Sequence, residues 1–200
     1  HWSDDNELTL TLKAESSGPT VVNLTNHVYF NLKGEGNGNI LDHNLKLYAS
    51  NYLPATEELI TTGEIATVKD TPMDFTEGKL IGRDIKADFP ALVNGKGYDS
   101  CWAIDNYNKG VMNPAATLSS EASGIKVDIM TTQPGVQIYT GNWLSGSPVG
   151  KCGKSYEDYE GVALECQAFP DAPNKANFPN TVLRPGEEYK EVIKFKFSTL

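Results

Sequence analysis

The sequence predicts an all-β protein built as a large antiparallel β-sandwich, and three observations predict it. Apolar and polar residues alternate with a period of two wherever a period can be read, Gly- and Pro-rich turn clusters separate the alternating runs, and no segment carries a long 3.6-residue pattern. A strand directs successive side chains to opposite faces, so each such run specifies one dry face and one wet face.

Leu8, Leu10 and Leu12, separated by Thr9 and Thr11, make His1 to Glu15 read as a first strand, which Ser17-Gly18-Pro19 ends. The apolar run LTNHVYFNL, Leu24 to Leu32, reads as a strand and leads into a turn at Gly34 to Asn39. Leu45 and Leu47 then alternate with Lys46 and Tyr48. A short helical turn near Gly82 to Phe89 is the one competing signal, and Asn94 to Gly97 is a turn. Ile125, Val127 and Ile129 alternate with Lys126 and Asp128, and Gly141 to Gly150 breaks the chain again. After Arg184-Pro185-Gly186, the last run sets Ile193, Phe195 and Phe197 against Lys194 and Lys196. There is no internal repeat.

Two hundred residues, 39% hydrophobic with 18 Gly and 11 Pro spread evenly, are enough for the core of one domain spanning 1–200 and unlike a disordered tail. A net charge of -9, from 17 basic and 26 acidic side chains, leaves no basic field for phosphate and excludes nucleic acid as a partner. No apolar run reaches membrane-spanning length, so no membrane partner is expected, and the start HWSDDNE has neither Met nor signal-like character. Cys101, Cys152 and Cys166 lack CxxC or Cys/His spacing, which predicts buried free thiols and no metal site. The acidic SYEDYEG, Ser155 to Gly161, lacks a calcium loop's ligand alternation and reads as solvated. Asn23-Leu24-Thr25 matches a glycosylation sequon, but inside a predicted strand beside His27 it reads as coincidence.

Four isolated polar residues stand in apolar surroundings. Glu165 follows Val162-Ala163-Leu164 and precedes Cys166; a carboxylate there is paired, raised in pKa or facing a cavity, unless its strand position simply points to solvent. His27, one of three histidines, is either a core imidazole satisfied by backbone or by Asn23, Asn26 and Asn31, or a proton carrier. Asp99, after Gly97-Tyr98, forms a turn or binds a ligand, and Gln137 bridges strand edges or does the same. Tyr98, Trp102, Tyr139, Trp143 and Phe169 lie near these residues in sequence, where aromatic faces suit either a sugar or an ordinary sandwich core.

Taken together, VNLTNHVYFNL, LYASNYLPATEELITTGEI, TPMDF, GYDS, TTQPGVQIYTGNWL and ALECQAFPDAPNKANFPNTVLRPGEEY resemble the galactose mutarotase (aldose 1-epimerase) family, in the family's order and over nearly the whole chain. The resemblance implies a galactose mutarotase-like supersandwich with its N-terminal strands missing, a domain incomplete at the N-terminus. It implies an isomerase that interconverts the α and β anomers of free aldohexoses such as glucose and galactose, without a cofactor. His27 matches the family's acid and Glu165 its base, while Asp99 and Gln137 match its substrate-binding ligands. The implied partner is a free aldose sugar, and the implied compartment is the cytoplasm. An N-terminal segment in cis or trans is expected to complete the site, because the family's arginine and second histidine have no counterpart here and Arg83 and Arg184 stand outside that motif. The isolated chain is therefore expected to be a poor catalyst. Ser100 and Cys101 stand where family members often carry His-Asn. The alternatives are a carbohydrate-binding or structural sandwich domain without catalysis, and a hexose-phosphate epimerase, which would want clustered Arg or Lys near the motifs.

Overall fold

A computed structural model describes residues 1–200. Its strands in chain order are β1 (Glu7–Ala14), β2 (Thr20–Val21), β3 (Tyr29–Phe30), β4 (Asn44–Leu47), β5 (Asn51–Leu53), β6 (Ala66–Thr67) and β7 (Lys79–Leu80). Helix α1 (Pro90–Gly95) precedes β8 (Asp99–Ala103), β9 (Asn113–Ser120), β10 (Ile125–Thr131), β11 (Gly135–Tyr139), β12 (Val162–Gln167), β13 (Val182–Leu183) and β14 (Tyr189–Thr199). They form two six-stranded sheets, ordered β1-β14-β10-β9-β4-β7 and β3-β12-β11-β8-β5-β6, and a β13-β2 ribbon. Every pairing is antiparallel.

The alternation read from sequence is the alternation of the sheets. Leu45, Leu47, Val127, Ile129, Ile193 and Phe195 turn one face of the first sheet inward, and Trp102, Val136, Ile138, Val162, Leu164 and Cys166 do the same for the second. Together they belong to one core of 27 buried residues, the apolar area whose removal from water drives folding. Leu8, Leu10 and Leu12 pack on its margin through β1, which pairs along its whole length with β14, joining the two ends of the chain.

Three expectations need correction. The helical signal is displaced: one 3₁₀ turn covers Ile81–Arg83 and α1 begins only at Pro90, whose ring suits the first helical position. Asn94 and Gly95 thus belong to α1, and the turn falls at Lys96 and Gly97. There a Cβ on residue 97 would lie 2.4 Å from Asn142 Oδ1, so only glycine fits. Cys101 and Cys166 are buried free thiols, but Cys152 is exposed in the irregular 151–155 loop, where no strand covers it. The largest change is in LTNHVYFNL, where only Tyr29 and Phe30 enter a ladder. Upstream of them the chain is held to β12 by side chains: Asn23 bonds both the amide and carbonyl of Ala168, and Thr25 donates to the Cys166 carbonyl at 2.7 Å. His27 is therefore on a pinned, irregular edge segment and not on a strand.

Candidate active site

β12 is buried on both faces, and pleating splits its side chains. Leu164 and Cys166 enter the core, while Glu165 and Gln167 line a cavity of about 490 Å³ on the outer face of the second sheet. Register sets Gln137 of β11 directly between Glu165 and Cys101 of β8, with Asp99 one pleat along, opposite Tyr139. His27, Asp99, Gln137 and Glu165 all line this cavity, with Tyr139 and Trp143 beside them. Packing beside it is close: a Cβ on Gly135 would lie 3.0 Å from the Phe169 ring and 2.8 Å from Sγ of Cys101, which lines the cavity.

His27 Nε2 lies 3.2 Å from Glu165 Oε1, an imidazole and a carboxylate within hydrogen-bond reach. The Glu165 side chain is only 10% exposed, so the solvent-facing alternative is excluded; that of His27 is 51% exposed, so it is not a core imidazole. Burial raises the Glu165 carboxyl above its ordinary value; the neighbouring His27 opposes this and the like charge of Asp99 adds to it. Burial also raises Asp99, against the hydrogen bond from Gln137 and the charge of His27. Gln137 Nε2 donates to Asp99 Oδ1 at 2.8 Å, which orients the amide and leaves Gln137 Oε1 buried with no partner. A buried orphan acceptor on a cavity wall is a place for a ligand hydroxyl to donate.

Aromatic rings frame the imidazole. Tyr29 lies 5.1 Å and Tyr139 6.4 Å from His27 between ring centroids. The Tyr139 hydroxyl accepts the Trp143 amide, and Lys96 Nζ sits 3.6 Å from the centroid of the half-exposed indole. Tyr98 and Trp102 belong instead to the core, their polar tips donating to the carbonyls of Pro72 and Met73, because their strand positions alternate away from the cavity. The three asparagines do not touch the imidazole: Asn23 holds Ala168, Asn26 accepts the Val28 amide, and Asn31 serves Gly38, Glu160 and Lys33. Sequence reasoning missed Gln167, which lines the cavity two residues from Glu165 on the same strand face, and Tyr29, whose ring packs beside His27.

The fold and site define an all-β sandwich protein with an imidazole–carboxylate pair in a cavity on the outer face of one sheet. The chain belongs to the aldose 1-epimerase family, whose model, described as "Aldose 1-epimerase", matches residues 2–196. It is 42% identical over 195 residues to galactose mutarotase of Bos taurus and 43% identical over 197 residues to that of Homo sapiens, covering 98% of this chain and 55% of each relative. Aldose 1-epimerase of Escherichia coli K12 is 36% identical over 197 residues, covering 98% of this chain and 56% of its own. The chain thus spans about half the length of the curated relatives it matches. Among solved structures, an aldose epimerase homologue from C. elegans superposes with a TM-score of 0.85 at 30% identity, covering 98% of this chain and 57% of that one. Galactose 1-epimerase from Lactobacillus acidophilus NCFM gives 0.84 at 30% identity, covering 99% and 55%.

Proposed function

We propose that this polypeptide interconverts the α and β anomers of a free aldohexose, with Glu165 as base, His27 as acid, and Asp99 and Gln137 holding the sugar hydroxyls. The observation that carries the reading is the pair His27 Nε2 and Glu165 Oε1, 3.2 Å apart on the wall of a polar cavity. The family and the activities for which the relatives are named support it.

Glu165 takes the proton of the anomeric hydroxyl as His27 delivers one to the ring oxygen. The C1–O5 bond breaks, its electrons stay on oxygen, and C1 becomes an aldehyde carbon. Rotation about C1–C2 followed by reclosure, with the two protons returned, gives the other anomer. Proton balance is internal to the pair, so the reaction consumes no cofactor. Each positioned group contributes about 10²- to 10⁴-fold. Gln137 Oε1 accepts a sugar hydroxyl, and the free oxygen of Asp99 accepts another, which orients the hemiacetal.

Polarimetry of freshly dissolved α-D-galactose and α-D-glucose tests the reading. With the family N-terminal segment supplied, accelerated decay of rotation is expected, with Glu165→Gln and His27→Asn each lowering the rate about 10²- to 10⁴-fold while circular dichroism is unchanged. Near-native turnover in either variant overturns its role. The proposal includes a family N-terminal segment, supplied in cis or trans, that raises turnover; equal rates with and without it overturn that part.

A further inference from the structure

We infer that Asn23 and Thr25 are positioning residues that set His27 in register with Glu165, an inference that rests on the acid/base reading of that pair. The acid lies on a segment without a backbone ladder, whereas the base lies on β12 opposite Gln137 of β11 and beyond the two residues that β3 pairs, so something other than sheet pairing must fix their separation. The two sequon side chains do so. Thr25 Oγ1 donates to the carbonyl of Cys166, the residue after Glu165, and the Asn23 amide both accepts from the Ala168 N–H at 2.9 Å and donates to its carbonyl at 3.3 Å. Acid and base thus hang from one stretch of backbone, Glu165 to Ala168.

The spacing repeats with period two: Asn23 and Thr25 meet the β12 backbone, His27 meets the Glu165 carboxylate, and Tyr29 re-enters the ladder opposite Ala163. From the other side, the Tyr189 hydroxyl and Gln133 Nε2 hold Leu24, and Asn26 Oδ1 accepts the Val28 amide across His27 itself. The Asn-x-Thr pattern is explained by these bonds, since the amide nitrogen a glycan would need is already a donor to Ala168. A reacting group misplaced by about 1 Å loses about 10²-fold in rate, so this clamp has kinetic consequences although neither side chain lines the cavity.

The test uses Thr25→Val, which keeps the shape and removes the donor, Asn23→Leu, and the conservative Thr25→Ser. Expected for the first two is a kcat for galactose mutarotation lowered by about 10- to 100-fold with KM changed less than about threefold, restored by Thr25→Ser. The imidazole 15N resonances of His27, assigned with His27→Asn, are expected to move in Thr25→Val and Asn23→Leu in the direction seen in Glu165→Gln, with those of His43 unmoved. Wild-type kcat, or unmoved His27 resonances in a folded variant, overturns the inference. Should Thr25→Val fail to fold, Asn23→Asp, which keeps the acceptor for the Ala168 amide and removes only the donor, gives the same two readings. Absence of mutarotation even with the family N-terminal segment supplied would overturn the acid/base reading, and the nitrogen resonances would still decide the clamp.

Discussion

Burial pushes the Glu165 carboxyl above its ordinary 4.5, with Asp99 adding to the rise and His27 opposing it. The folded state therefore holds this proton more tightly than the unfolded chain. Its stabilising contribution is full below about 4.5 and is lost as pH rises through the folded value. Glu165→Gln is accordingly expected to melt higher than the unsubstituted chain at pH 7. The difference should vanish near pH 4, as thermal melts across pH will show; a lower melting temperature at pH 7 would contradict it. The same groups set the pH–rate profile. With Glu165 as the proposed base, the acidic limb is expected above the ordinary glutamate value, and Asp99→Asn, which removes a like charge, is expected to move that limb to lower pH in addition to weakening the proposed sugar binding. A limb that stays put or rises in Asp99→Asn would show that the two carboxyls do not interact.

The segment after β3 is anchored by a different histidine. His43 is fully buried, its Nε2 accepts the Leu32 amide at 2.9 Å, and its Nδ1 lies 3.1 Å from Asp42 Oδ1, which fixes the tautomer with the proton on Nδ1. Burial holds its pKa below 6.5, against the pull of Asp42. A base with a depressed folded value contributes stability that is full above 6.5 and falls as pH drops through the folded value. His43→Leu is expected to cost about 1–3 kcal/mol at pH 7, because the Leu32 N–H is left orphaned, and to flatten the loss between pH 7 and pH 5. Urea titrations at both pH values measure this; a variant with the same pH slope as the unsubstituted chain would remove His43 from the account. The element-level misreading of LTNHVYFNL has the same origin as this anchor: polar side chains satisfy backbone groups that a strand would satisfy by pairing, and an apolar run cannot show which of the two will happen.

Across the molecule, cavity-face and core-face residues alternate along the same central strands, so stability and site geometry share one backbone. Ile138 is fully buried in the core, and its neighbour Gln137 lines the cavity. Ile138→Ala is expected to cost about 2–5 kcal/mol in denaturant midpoint terms through the void it leaves. Less than 1 kcal/mol would mean that the two sheets do not pack across this position.

The strands were legible because their signal is local. Thr9 between Leu8 and Leu10, or Lys194 between Ile193 and Phe195, declares a wet and a dry face without reference to any other part of the chain. His27, Glu165, Asp99 and Gln137 were legible as candidates, since polar groups in apolar runs need partners, and their motifs resembled one family. Their convergence was not legible: it depends on the register that places Gln137 opposite Glu165 and on the edge segment that brings Nε2 of His27 to 3.2 Å from the carboxylate. Nor could the linear pattern tell Trp102, buried in the core, from Trp143, exposed at the cavity mouth. Local alternation determines which faces exist, but which face closes over a core and which is left to line a cavity is decided by residues far apart in the chain, through the packing that only the assembled sheets create.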